Sequence, residues 1–181
     1  MFEIAEAKSL EEETKHLAVE FLLTLVEAKK KAPRMMKKLL SFTNTCFAMI
    51  LTMLLDIEDE PSWYSTDPQH GYARKTENYT FGEKCLDWFS IALGGKTTVP
   101  IAMEQMEAYL VALEREKRHA SLRSLLQIAE GSSKVMVKYF DQIVHMILHS
   151  SKILILESDR PLLLQSNSCQ LLLAGFARTI P

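Results

Sequence analysis

Apolar residues at helical spacing recur along this chain in segment after segment, each bounded by a capping pair, a proline or a glycine. Stripes of that kind can be buried only against other helices, so helix must pack on helix. The first segment opens at Ser9 and Glu12, the spacing of a capping box, with Leu17, Phe21, Leu22, Leu25 and Ala28 expected to face inward. Lys29, Lys30 and Lys31 follow at its C-terminal end, where the helix dipole favours cations. Pro33 opens a second segment carrying Met36, Leu39, Leu40, Phe47, Ile50, Leu51 and Leu54, which ends near Ile57. Thr80 and Glu83 are read as the capping box of a third, with Cys85, Leu86, Phe89 and Leu93 inward and a stop at Gly94-Gly95. Pro100 is read as opening a fourth, with Met103, Met106, Leu110 and Leu113 inward. A fifth runs from about Lys117 to Glu130 through Leu122, Leu125, Leu126 and Ala129, with Gly131 as its stop. Ser132 or Ser133 caps a sixth carrying Val135, Met136, Phe140, Ile143, Val144 and Ile147.

The order is helix, short turn, helix, three times over. Ile91-Ala92-x-Gly94 recurs 37 positions later as Ile128-Ala129-x-Gly131. At an offset of 100, Leu22, Leu25, Met36 and Lys38 match Leu122, Leu125, Met136 and Lys138. With a polar stretch at 58–78 set aside, both offsets fit units near forty residues, the range of HEAT and armadillo repeats. The expected fold is all-α, an α-α superhelix of about three antiparallel helix pairs at 9–57, 79–114 and 116–149 within an array spanning 1–150. A closed helical bundle is the competing architecture, since Leu and Lys matches between amphipathic helices also arise by chance. The stretch 58–78 holds Pro61, Pro68 and Gly71 and no apolar period, so it is expected to be a loop, and long loops inside helical arrays are often functional.

Charge and cysteine content narrow the class. A net charge of −2 offers no global basic field for nucleic acid or anionic lipid. Cys46, Cys85 and Cys169 are far apart and odd in number, which suits a reducing compartment, cytoplasm or nucleus. The first residues lack the basic and apolar blocks of a secretory leader, and the longest apolar run is about half a membrane span.

Four stretches carry a more specific signal: 11–34 (EEETKHLAVEFLLTLVEAKKKAPR), 54–63 (LLDIEDEPSW), 90–100 (SIALGGKTTVP) and 126–137 (LQIAEGSSKVMV). In this order and spacing they resemble importin-β nuclear transport receptors of the karyopherin beta-three type, which carry ribosomal proteins and other basic cargo. The resemblance covers the chain from Ser9 to about Ser150. It implies HEAT repeats, no enzymatic activity, no cofactor, and binding of basic import cargo and the Ran GTPase in cytoplasm and nucleus. Complete receptors of the family are far longer, so this chain would be a middle portion.

Two departures from the family pattern stand out. Relatives carry a strongly acidic segment after the tryptophan matching Trp63, whereas 65–75 here reads STDPQHGYARK. Glu58, Asp59 and Glu60, with Trp63 beside them, therefore remain as the candidate cargo-binding cluster; aromatics next to carboxylates suit basic peptides. The second departure is the tail, 151–181. Codons for the family's Gln-Asp-Pro-His-Pro-Arg-Val, read out of frame, spell Lys-Ile-Leu-Ile-Leu-Glu-Ser, which is what stands at 152–158. A shifted reading frame is the expected origin of the tail, which would then pack poorly.

Other chemistry leaves weaker traces. His145 and His149 are four apart, but no acid stands between them in the HExxH pattern, so they read as a helix edge and no metal site is expected. His16, His70 and His119 read as surface residues. Gly94-Gly95-Lys96-Thr97 lacks the earlier glycine and preceding strand of a phosphate loop and reads as a helix stop. The nine methionines fall mainly on inward stripes, Trp88 reads as packing, and 114–118 reads as a solvated turn. No catalytic residue is assigned. The expected function is a nuclear import receptor fragment that binds basic localisation signals, with Ran-linked release in the full-length family and neither nucleic acid nor membrane as a direct partner. A HEAT scaffold outside transport, and a truncated fragment without independent function, are the alternatives.

Overall fold

A computed structural model of the chain describes residues 1–7, 9–28, 40–57, 75–146 and 148. Its helices are α1 (Phe2–Ala5), α2 (Glu12–Ala28), α3 (Leu40–Met53), α4 (Glu77–Leu93), α5 (Gly95–Leu110) and α6 (Arg115–Met136), followed by a 3-10 turn at Val137–Tyr139. No helix among the described residues is long and apolar enough to cross a membrane.

Hydrogen bonds between helices fix their directions. His16 Nε2 lies 3.3 Å from Asn78 Oδ1, a separation of 62 residues, and Trp88 Nε1 donates to Glu27 at 2.6 Å, a separation of 61. Nearly equal offsets toward both ends of α2 mean that α2 and α4 run parallel, side by side. Tyr79 pairs with His119 and Glu83 with Arg123, both 40 residues apart, so α4 and α6 are parallel as well. In the other layer Gln105 of α5 donates to the Asn44 carbonyl of α3, again 61 apart. The chain thus climbs by one helix pair per step, forty residues when uninterrupted and about twenty more where 58–74 intervenes. A closed bundle has no such ladder; this is an α-α solenoid of the HEAT type.

The core is continuous across the steps. Leu22, Leu23 and Val26 of α2 meet Phe47, Ile50 and Leu51 of α3; Tyr79, Leu86 and Phe89 of α4 and Met103, Met106 and Leu110 of α5 follow. Leu125 and Ile128 of α6 extend the cluster to Met136 and Ile143. Two close approaches need glycine. A Cβ on Gly82 would sit 3.0 Å from Met53 Cβ, and one on Gly95 would sit 2.7 Å from Ser132 Cβ, so α3 reaches α4 and α5 reaches α6 only because neither position has a side chain. Gly94, at φ +73°, makes the single-residue turn between α4 and α5, and its N–H closes on the Ser90 carbonyl at 2.9 Å. At Ser132 the backbone leaves helical geometry (φ −134°), one residue after the stop read at Gly131.

Several expectations are corrected. Leu17, Phe21 and Leu25 are 66%, 47% and 42% exposed, while Ala18, Val19, Leu22, Leu23 and Val26 are buried. Apolar residues wrap more than one face of α2, and the period alone does not say which face meets α3 and α4. Leu113 is exposed for a related reason, lying past the end of α5. Lys15 N–H bonds to the Glu11 carbonyl, so α2 begins after Glu11 and Ser9 is not its cap. Helix α4 begins at Glu77 because Thr76 accepts from Tyr79 N–H, which shortens the expected 58–78 loop and places Thr80 and Glu83 inside the helix. Pro100 lies inside α5 rather than opening it, since Gly94 already turns the chain and the helix starts at Gly95. Pro33, Met36, Leu39, Ile147 and His149 lie outside the described residues, as does 151–181.

Candidate functional site

The candidate cluster Glu58, Asp59, Glu60 and Trp63 lies outside the described residues, as does His70. What the structure describes is the stem on either side of that insertion, at residues 56–57 and 75–78. An isolated antiparallel bridge pairs Ile57 with Lys75 across its two ends. Thr76 Oγ1 donates to the Asp56 carbonyl at 2.7 Å, and Asn78 Nδ2 donates to the Asp56 carboxylate at 3.2 Å. Thr76 also caps α4, accepting from Tyr79 N–H at 3.0 Å. One threonine hydroxyl therefore ends the insertion and begins the helix.

Beside the stem runs a polar seam between α4 and α6. Lys75 Nζ reaches both oxygens of Glu83, at 3.0 and 2.8 Å, and Arg123 Nε donates to the same carboxylate at 2.5 Å. Lys75 Nζ also stands 5.4 Å from the centroid of the Tyr79 ring. Tyr79 is 1% exposed, and its hydroxyl lies 3.1 Å from His119 Nε2. Burial alone would raise the Glu83 carboxyl, but hydrogen bonds from Lys75 and Arg123, with their charges, outweigh it and hold the group below its ordinary value. Burial raises the Tyr79 hydroxyl well above its ordinary value, so it stays protonated beside the neutral imidazole.

His119 is thus no surface residue. Burial first, then the charges of Arg123, Lys75 and Arg115, against a smaller opposing effect of Glu83, push it from 6.5 down to about 4. Between those values the unfolded chain binds a proton that the folded chain refuses, so stability falls as pH falls from 6.5 toward 4. The loss at pH 5 should be about 2 kcal/mol, read from urea midpoints at pH 7 and pH 5, and His119→Gln should flatten the difference. Glu83 acts in the same direction below its ordinary range, since acid removes the charge that holds Lys75 and Arg123.

Next to the stem is a cleft of about 290 Å³ lined by His16, Lys75, Thr76, Glu77, Thr80, Phe81 and Lys84. His16 stacks on Phe81 at 3.9 Å, so this histidine too is a packing group. Arg118, expected in a solvated turn, is 6% exposed, and its Nη1 caps the Ala112 and Leu113 carbonyls. Trp88 is held by its hydrogen bond to Glu27 as well as by packing. Burial pushes the thiols of Cys46 and Cys85 up to about 12, so neither is a nucleophile at neutral pH. Among the described residues no three His, Cys, Asp or Glu side chains are grouped to hold a metal ion. Sequence reasoning missed the seam because Glu83 was assigned to a cap and His119 to the surface. The signal that could have found it is the shared 40-residue spacing of Tyr79 to His119 and Glu83 to Arg123.

A stem, a half-buried ionic seam and a shallow cleft are thus what the described residues place side by side along α4. A family profile described as "Importin repeat" matches residues 7–100. The crystal structure of Kap121p superposes with a TM-score of 0.70 at 20% identity, over 97% of this chain and 16% of that one. A multiply substituted Kap121p mutant structure gives 0.70 at 19%, with the same coverage. At these identities the likeness shows the fold, and the chain spans about a sixth of the length of the protein it matches. No curated protein sequence matches the chain.

Proposed function

Because this chain belongs to the importin-repeat family, its matched region covering 7–100, we propose that it acts as a cargo-binding slice of an importin-β-like nuclear transport receptor. The matched region includes the whole insertion and its stem, which is the observation that carries the reading. Glu58, Asp59 and Glu60 supply negative charge and Trp63 an aromatic face, next in sequence to a stem clamped at Asp56 and Thr76. Basic segments of import cargo, of which ribosomal proteins are the type, would be held there by several shallow ionic and cation–π contacts. Release by Ran bound to GTP, and movement between cytoplasm and nucleus, belong to the full-length receptor in this reading. The role is recognition without catalysis.

The test is a calorimetric titration of the folded chain with a lysine- and arginine-rich ribosomal-protein segment, at about 50 and about 200 mM salt. Saturable binding that weakens with salt is expected, because exposed charges are screened over roughly 8–10 Å near physiological ionic strength. Neutralising Glu58, Asp59 and Glu60 together should weaken it about tenfold, or roughly 1.4 kcal/mol. Absence of binding by a chain shown to be folded would refute the reading and leave the repeat architecture standing.

A further inference from the structure

Lys75 is the point where the insertion rejoins the stack, and two routes lead from it to the next helix pair. The first is ionic: Lys75 Nζ holds Glu83, and Glu83 is shared with Arg123 of α6. The second is aromatic: Lys75 covers the Tyr79 ring, whose hydroxyl meets His119 of α6. His119 and Arg123 are one turn apart on the same helix, so both routes end on one patch. The Glu83 side chain is 16% exposed, Lys75 47% and Arg123 30%, so the shared carboxylate is the most enclosed of the three. A single carboxylate ordered by two cations from different repeats has one rotamer that serves both. Losing either cation leaves it held from one side only.

We propose that Glu83 energetically couples the stem at residues 56–57 and 75–79 to α6, so that a change at the stem is felt one repeat further along the stack. Coupling of this kind is reciprocal: what α6 does to the stem, the stem does to α6 by the same factor. It needs no particular ligand, so it stands or falls independently of what the insertion binds. Each repeat in such a stack touches its neighbours, and the seam is the polar part of that contact, tying the stem that opens the second helix pair to the first helix of the third.

Native-state hydrogen exchange of the full chain tests this. Arg123→Gln should raise exchange at the stem amides of residues 56, 57 and 76–79 by about threefold or more, although Arg123 touches none of them in the hydrogen bonds of the stem. Lys75→Met, a change at a half-exposed side chain, should raise exchange at 119–123 by a similar factor, and serves if Arg123→Gln does not fold. Lys134→Gln, at the far end of α6, should leave the stem unchanged. Exchange that rises only on the side of the substitution in both variants would overturn the proposal, as would a Lys75→Met, Arg123→Gln double-mutant cycle whose interaction is zero.

Discussion

Phe89→Ala is expected to lower the stability of the stack by about 3–5 kcal/mol, while Phe21→Ala, on the exposed side of α2, should cost well under 1 kcal/mol. Phe89 is 0% exposed, and its ring centroid lies 5.7 Å from that of Phe47 across the α3–α4 contact. Truncation would leave a cavity between two steps of the array and break an aromatic pair worth about 0.5–1.5 kcal/mol beyond its burial. Phe21, at 47% exposure, has little to lose. The contrast is informative because both residues lie on apolar helical stripes, and chemical denaturation of the two variants reads it directly. Domains are stable by only about 5–15 kcal/mol, so the Phe89 variant should sit near the edge of folding at room temperature.

Arg118→Met is expected to cost about 2–3 kcal/mol, and for a different reason. The guanidinium is 6% exposed and donates to the Ala112 and Leu113 carbonyls, in the turn that joins α5 to α6. Those carbonyls follow the end of α5, where helical partners have run out. Methionine keeps most of the length and apolar stem of the side chain but none of its donors, so the carbonyls lose charge-assisted bonds worth about 1.5–3 kcal/mol each before relaxation and water offset part of the loss. Thermal unfolding gives the size. Exchange should rise first at 111–114, because the turn loses its anchor before the helices lose their core.

The architecture was legible wherever the sequence punctuates itself. Gly94 turns the chain with a positive φ that other residues rarely adopt, and the break at Ser132 follows Gly131 by one residue. The offset of 100 between Leu22 and Leu122 is close to the sum of the two spatial steps, 61 and 40. The resemblance drawn from 11–34, 54–63 and 90–100 agrees with the matched Importin repeat. What stayed hidden depends on partners rather than period. Helix α2 has apolar residues on two arcs, and only the position of α4 selects Leu22 and Leu23 over Leu17 and Phe21. Thr80 with Glu83 fits the capping-box spacing and Thr76 does not; Asp56, brought beside Thr76 from across the insertion, decides for Thr76. Likewise Arg118 looks solvated in a run of charges until the end of α5 is placed beneath it.

The same dependence sets the candidate site apart from the fold. Its stem could be built from hydrogen bonds at Asp56, Thr76 and Glu83, whereas the assignment of Glu58, Asp59, Glu60 and Trp63 rests on residue chemistry and the family pattern. The chain contains two tryptophans, and Trp88 is occupied with Glu27, so replacing it by phenylalanine isolates Trp63 as a reporter. The most direct measurement is the emission of Trp63 in a Trp88→Phe chain titrated with the basic ribosomal-protein segment. Cargo recognition at the insertion predicts a saturable change whose midpoint matches the calorimetric one and shifts with it as salt is raised. Calorimetric binding that saturates while Trp63 emission stays flat would contradict it, and would move the contact away from the insertion.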